Sequence, residues 1–216
     1  MTPPTVNAYY NPLENNINFP AGILQPPFYS AKTDRGVNFG GAGAVIGHEL
    51  THGFDDQGRQ FDARGNLKDW WTEADGKAFV ERAQCFVDEY SQFTAVDEVK
   101  VNGKLTLGEN VADNGGLRLS LMAYLAASAG DANTIDGFTP EQRMFLGWGQ
   151  VWCENRRPEA LRLMAQTNPH SPAATASTAS SRTCPSSRKP SHANPTQRWS
   201  GRTPAGFGEG VNWVIG

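Results

Sequence analysis

Between Met164 and Phe207 the chain contains no Ile, Leu, Val, Met or Phe. Its core must therefore be assembled from the residues before that gap, because burial of apolar surface is what offsets the entropy of ordering a chain. Residues 173–206 are dominated by Ala, Ser, Thr, Pro, Arg and Gly, without helical or strand periodicity. Such a composition does not order itself. The expectation is a folded domain over 1–172 and a disordered tail over 173–216, in a chain of 216 residues with no internal repeat.

Local patterns place most of the elements. Val6-Asn7-Ala8-Tyr9-Tyr10 reads as a short strand stopped by Asn11-Pro12, and Phe19–Leu24 as a buried crossing. The glycines of Gly40-Gly41-Ala42-Gly43 lead into a helix over about 44–54. With no Gly-Lys-Ser/Thr after them, they signal close helix packing rather than a phosphate cradle. Asp55–Gly58 and Asp62–Asn66 are turn-rich and lack the ligand spacing of a calcium loop. Thr72 is an N-cap for a helix to about Phe93, with Phe79, Ala83, Phe86, Tyr90 and Phe93 as its core stripe. Asn102-Gly103 suits a hairpin turn between Val99 and Leu107. A helix is expected from about 109 to 129, another after the capping pattern Thr139-Pro140-Glu141-Gln142, and a shorter one over 158–165. The fold class is mainly α with a small β component.

A net charge of −3 supplies no basic patch for nucleic acid or anionic membrane. No stretch reaches the ~18–20 apolar residues of a membrane span, and Met1–Thr5 does not read as a signal peptide. Three cysteines, Cys85, Cys153 and Cys184, leave at least one unpaired.

The chemistry is concentrated in His48-Glu49-Leu50-Thr51-His52. On a helix the two histidines project from one face, one turn apart, which suits a single zinc ion. Glu49 beside them can take a proton from a water on the metal without itself being a ligand. Glu109 and Asp113 repeat the four-residue spacing on the next helix. Glu109 can supply the anionic third ligand, and Asp113 can accept the free ring N–H of a ligand histidine. The acids could equally mark a solvated helix start, where the dipole favours them.

Together these residues resemble the neprilysin and endothelin-converting-enzyme family of zinc metalloendopeptidases. The resemblance rests on Val6–Tyr10, Phe19–Phe28, Val45–Asp56, Gly108–Gly116, Gln150–Cys153 and His170-Ser171-Pro172, and covers about residues 5–172. It implies a thermolysin-like, gluzincin-type catalytic lobe that holds one zinc ion per chain and cleaves peptides. It implies that Asn7 and Ala8 grip the substrate backbone, and that Ile23, Phe28, Val45, Val151 and Trp152 line a pocket for the residue after the scissile bond. His170 matches the histidine that stabilises the oxyanion; without the resemblance it would pass as a loop histidine. The family usually works outside the cytoplasm.

Two departures accompany the match. The family carries an arginine shortly after His-Ser-Pro, whereas here Ala173–Ser177 follows and the next arginine is Arg182. The family ending is also absent, which suggests a frameshift near Ala173; the other reading frames of the coding DNA would test that. Family members carry several hundred residues before the matching region, and Cys85 and Cys153 match cysteines whose partners lie in segments absent here, so both are expected to be unpaired. The chain therefore reads as part of a peptidase, either active or a catalytically impaired zinc-binding remnant.

Overall fold

The computed structural model describes residues 1–129 and 132–179. Helices dominate. In chain order the elements are β1 (Tyr9–Asn11), β2 (Asn16–Asn18), α1 (Arg35–Asn38), a π-helical turn (Phe39–Gly43), α2 (Ala44–His52), α3 (Glu73–Tyr90), β3 (Thr94–Val96), β4 (Val99–Lys100), α4 (Leu107–Ala127), α5 (Pro140–Val151), α6 (Pro158–Thr167) and α7 (Ala173–Ala179). The two sheets are antiparallel pairs, β1 with β2 and β3 with β4.

Side-chain caps explain several boundaries. Thr72 accepts a hydrogen bond from the Asp75 N–H, and Thr139 and Gln142 form the full capping box before Pro140. Asp34 accepts from the Gly36 N–H and starts α1 well ahead of the expected helix start near residue 44. From Arg35 to His52 the chain is helical throughout, with the glycine cluster inside it as the π-helical turn.

The core lies where α2, α4 and α5 meet. Ala44, Leu117, Leu121, Tyr124, Met144 and Trp148 form one buried cluster, and each large side chain among them contributes roughly 1.5–3 kcal/mol on burial. The crossing of α2 and α4 is backbone on backbone. A Cβ on Gly47 would stand 2.6 Å from the Gly116 carbonyl oxygen, and one on Gly116 would stand 2.3 Å from the His48 nitrogen. Only hydrogen at both positions lets these helices touch.

A part-buried ion pair ties α5 to the start of α1. Arg143 on α5 donates from Nε to Asp34 Oδ1 at 3.0 Å, and from Nη1 to the carbonyls of Asn133 and Phe138 at 2.9 Å each. Removing one partner of such a pair leaves the other charge poorly compensated. Arg143→Met is expected to lower unfolding stability by about 3 kcal/mol in urea titration. An unchanged midpoint would show the pair to be unimportant.

Four expectations change. The strand expected over 6–10 begins at Tyr9, because its partner β2 reaches only as far as the Tyr9–Asn18 pair. The hairpin turns at Asp97-Glu98, with Asp97 in the left-handed region at φ 48°, rather than at Asn102-Gly103. Asn102 is recruited elsewhere: its side chain and carbonyl accept from the N–H groups of Leu105 and Thr106 and lead into α4. Cys85 is disulfide-bonded, contrary to the expectation, whereas Cys153 is free and exposed. Finally, residues 173–179 form α7, with Ala173, Ala176 and Ala179 buried at steps of three, and Ala179 joins Tyr90 and Val101 in a second cluster. The remainder of the expected tail, from residue 180, lies outside the described residues.

Candidate metal centre

The glycine crossing brings the last two turns of α2 against the first turns of α4. His48 and His52 therefore face Glu109 and Asp113 across a few ångströms. The two histidine Nε2 atoms are 2.9 Å apart, and Glu109 Oε2 lies 3.3 Å from one and 3.5 Å from the other. His170, on the loop after α6, brings its own Nε2 to 3.4 Å from the same oxygen.

The outer ring nitrogens are already engaged. His48 Nδ1 donates to Asp113 Oδ1 at 2.8 Å, and His52 Nδ1 to Asp55 Oδ2 at 2.7 Å. Those bonds fix the tautomers, so the Nε2 lone pairs point inward. Glu109 Oε2 is buried and has no hydrogen-bond donor of its own. With the rings neutral, three potential ligand atoms thus converge on one point. A tetrahedral zinc ion with bonds of ~2.0–2.1 Å places its ligand atoms ~3.3–3.4 Å apart, close to the two Glu109 separations, while the 2.9 Å between the rings would open by roughly 0.4 Å. The residues fit that ion.

The same frustration governs proton affinity in the metal-free chain. Burial works against a charged ring, but Asp113 and Glu109 outweigh it at His48, whose pKa rises to about 10. Burial is likewise overcome at His52 by Asp55 and Glu109, and its pKa rises to about 9. At Glu109 burial favours the neutral acid, but the two imidazoles prevail and hold it well below the usual carboxylate range. Because both histidines titrate above the ordinary 6.5, their contribution to stability is complete below that value and is lost as pH rises through about 9 and about 10. The metal-free chain is therefore expected to weaken from neutrality through about pH 10, and saturating zinc to flatten that loss. Unfolding midpoints across pH, with and without zinc, test this; equal slopes would refute it.

Glu49 is buried, and a carboxylate oxygen of it lies within 4.8 Å of ring nitrogens of His48 and His52. Burial raises its pKa above the usual carboxylate range, while His48 and the Tyr10 backbone N–H favour the anion. A carboxylate so tuned is a better proton acceptor near neutrality than an exposed one.

The sequence matches the peptidase family M13 profile over residues 7–185. The chain belongs to peptidase family M13. It is 51% identical over 176 residues to an endothelin-converting enzyme homolog of Locusta migratoria, covering 80% of this chain and 24% of that protein. Against endothelin-converting enzyme 1 of Mus musculus the identity is again 51%, covering 80% and 23%. The inhibitor-bound crystal structure of Mycobacterium tuberculosis zinc metalloprotease Zmp1 superposes with a TM-score of 0.79 at 47% identity, over 83% of this chain and 28% of that one. The fold is thus the gluzincin-type fold of M13 metalloproteases, and the chain spans about a quarter of the length of the curated relatives.

Within this M13 chain the expected site residues fall into two groups. His48, Glu49, His52, Glu109, Asp113 and His170 come together. The others are spread around them. Asn7 is exposed and Ala8 buried just ahead of β1; Ile23 is buried, and Phe28 is half-buried with its carbonyl accepting from the Ala42 N–H. Val45 lies one turn before His48 on α2. Val151 ends α5, Trp152 follows it, both pack on the main core cluster, and Trp152 shares with Asn168 and His170 a cavity of about 210 Å³.

Asp55 escaped the sequence reading. It is 4% exposed, its Oδ1 accepts from the N–H groups of Gln57 and Gly58, and its Oδ2 holds His52. The signal was its place three residues after a ligand, hidden by a turn-like neighbourhood. Asp55→Ala is expected to weaken zinc affinity by ~10–100-fold, as removal of such carboxylates does. Chelator competition measures it, and an unaltered constant would deny Asp55 that role.

Proposed function

We propose that this chain is the catalytic part of a zinc-dependent metalloendopeptidase that hydrolyses oligopeptides. One zinc ion per chain would be held by His48 Nε2, His52 Nε2 and Glu109 Oε2, with Asp113 and Asp55 orienting the two rings. The convergence of these three atoms, with Glu109 Oε2 left buried and unsatisfied, carries the proposal. Zinc, when bound, supplies a Lewis acid that activates a water and polarises the scissile carbonyl. Glu49 takes the proton from the attacking water on its carboxylate and passes it to the departing amine. His170 turns its Nε2 towards the oxygen on which negative charge develops and stabilises it.

The edge of β1 supports the substrate reading. Among the described residues β1 pairs with β2 and with no other strand, and the Tyr10 backbone favours the Glu49 anion. An extended peptide can lie along this edge beside Asn7 and Ala8, with main-chain hydrogen bonds as the generic source of affinity. Ile23, Phe28, Val45, Val151 and Trp152 then offer apolar surface for the side chain after the scissile bond.

Metal analysis of the purified chain and hydrolysis of an internally quenched peptide test the proposal. Zinc near one equivalent, with cleavage abolished by a chelator and restored by zinc, is the expected result. Zinc without cleavage supports the second reading, an impaired zinc-binding remnant. That reading draws on α7, whose sequence AATASTA places no charged side chain after Pro172 to grip a substrate.

A further inference from the structure

His170 reaches the metal centre from an exposed loop, with its side chain 47% accessible. Apart from the 3.4 Å approach of Nε2 to Glu109, its ring and backbone bond to Asn168 Oδ1, at 3.0 Å from Nδ1 and 2.9 Å from its N–H. Asn168 belongs to the same short loop, so neither bond fixes the loop to the helix that carries Glu109. Something else must.

The next residue does so. Ser171 is 3% exposed, and its hydroxyl donates to Asn110 Oδ1 at 2.7 Å. Asn110 follows Glu109 on α4 and is fully buried. Its Nδ2 donates to Thr106 Oγ1 at 2.8 Å, and the Thr106 hydroxyl donates to the Asn102 carbonyl at 3.1 Å. The chain of donors runs one way and ends on a backbone acceptor. With its N–H₂ committed to Thr106, Asn110 can present only an acceptor to Ser171, so the amide is set before the loop arrives. Glu109 faces His170 while their sequence neighbours Asn110 and Ser171 bond to each other. Two adjacent links thus join loop and helix.

We propose that Ser171 and Asn110 are a positioning pair that holds the His170 ring at the metal centre. The pair rests on the zinc reading above and acts through His170, touching neither metal nor substrate. Without the Ser171 hydroxyl the loop keeps its internal Asn168 bonds but loses its buried bond to α4, and the exposed His170 ring, left with its approach to Glu109 alone, drifts.

The test uses the full chain loaded with cobalt(II), whose unpaired electrons shift and broaden proton signals steeply with proximity. In the wild type, ring signals of His48, His52 and His170 are all expected to respond. In Ser171→Ala the response of His170 falls several-fold while those of His48 and His52 stay. Ser171→Thr, which keeps the hydroxyl, retains the His170 response, and Ser171→Cys, a weaker donor of similar volume, gives an intermediate one should the alanine variant fold poorly. An unchanged His170 response in both Ser171→Ala and Ser171→Cys overturns the pair. A wild type in which His48 and His52 do not respond overturns the zinc reading instead, and the pair's role with it. In the peptide assay Ser171→Ala is expected to lower kcat by ~10-fold or more at similar KM, and to add nothing in a His170→Ala background. Additive losses would show that Ser171 acts independently of His170.

Discussion

Replacing Glu49 with Gln is expected to reduce peptide hydrolysis by ~10²–10⁴-fold, the usual contribution of a positioned acid–base group, while zinc content stays the same. The amide keeps the shape of the buried side chain but cannot accept a proton at neutral pH. Glu49 is 4% exposed, and its carboxylate receives the Tyr10 backbone N–H, so the Gln side-chain oxygen can keep that contact and the fold should be spared. The ligand atoms of His48, His52 and Glu109 are untouched. The comparison must pair a quenched-peptide assay with metal analysis on the same preparations. A variant as active as the wild type would remove Glu49 from the mechanism. Equal inactivity of both, with zinc bound, would favour the impaired remnant.

Gly116→Ala carries the other large effect. Its new Cβ would stand 2.3 Å from the His48 nitrogen and 2.7 Å from the Ala44 carbonyl oxygen, both backbone atoms that cannot swing aside. The helices must separate, at a cost of at least ~1–3 kcal/mol for overpacking. Separation also moves Glu109 and Asp113 on α4 away from His48 and His52 on α2. Zinc affinity should therefore fall together with thermal stability. Gly149→Ala is the control: it lies in α5 with nothing within 4 Å of a new Cβ, and should be neutral or slightly stabilising. If Gly116→Ala binds zinc as tightly as the wild type, the crossing does not set the site.

What was legible in the sequence follows from the range of each interaction. The four-residue spacings of His48/His52 and Glu109/Asp113 declare a shared helix face, and the capping box at Thr139 is complete within four residues. Both survive in the structure because nothing distant competes with them. Asn102-Gly103 failed as a hairpin because a distant neighbour decides it: a Cβ on Gly103 would stand 2.3 Å from the Val87 carbonyl oxygen on α3, so that glycine answers to packing. α7 was hidden for a related reason. Ala173, Ala176 and Ala179 have little apolar surface of their own and are ordered against groups supplied by α3, α5 and the segment before α4. The bond from Ser171 to Asn110 spans 61 residues, a separation at which no local pattern speaks.

The π-helical turn at Phe39–Gly43 has a consequence for how the metal ligands are aimed. Each residue of an α-helix advances the chain by about 100°, whereas a π turn absorbs one extra residue in a wider loop. If the same five residues relaxed to regular α-helix, everything beyond them would rotate by about 100° relative to α1, which is itself held by its contact with α5. His48 and His52 would then sweep past α4 and face solvent or core instead of Glu109. The bond from Ser120 Oγ to the Phe39 carbonyl, at 2.6 Å, pins the turn from the ligand-bearing helix itself, so α4 both supplies a metal ligand and sets the angle from which the other two approach.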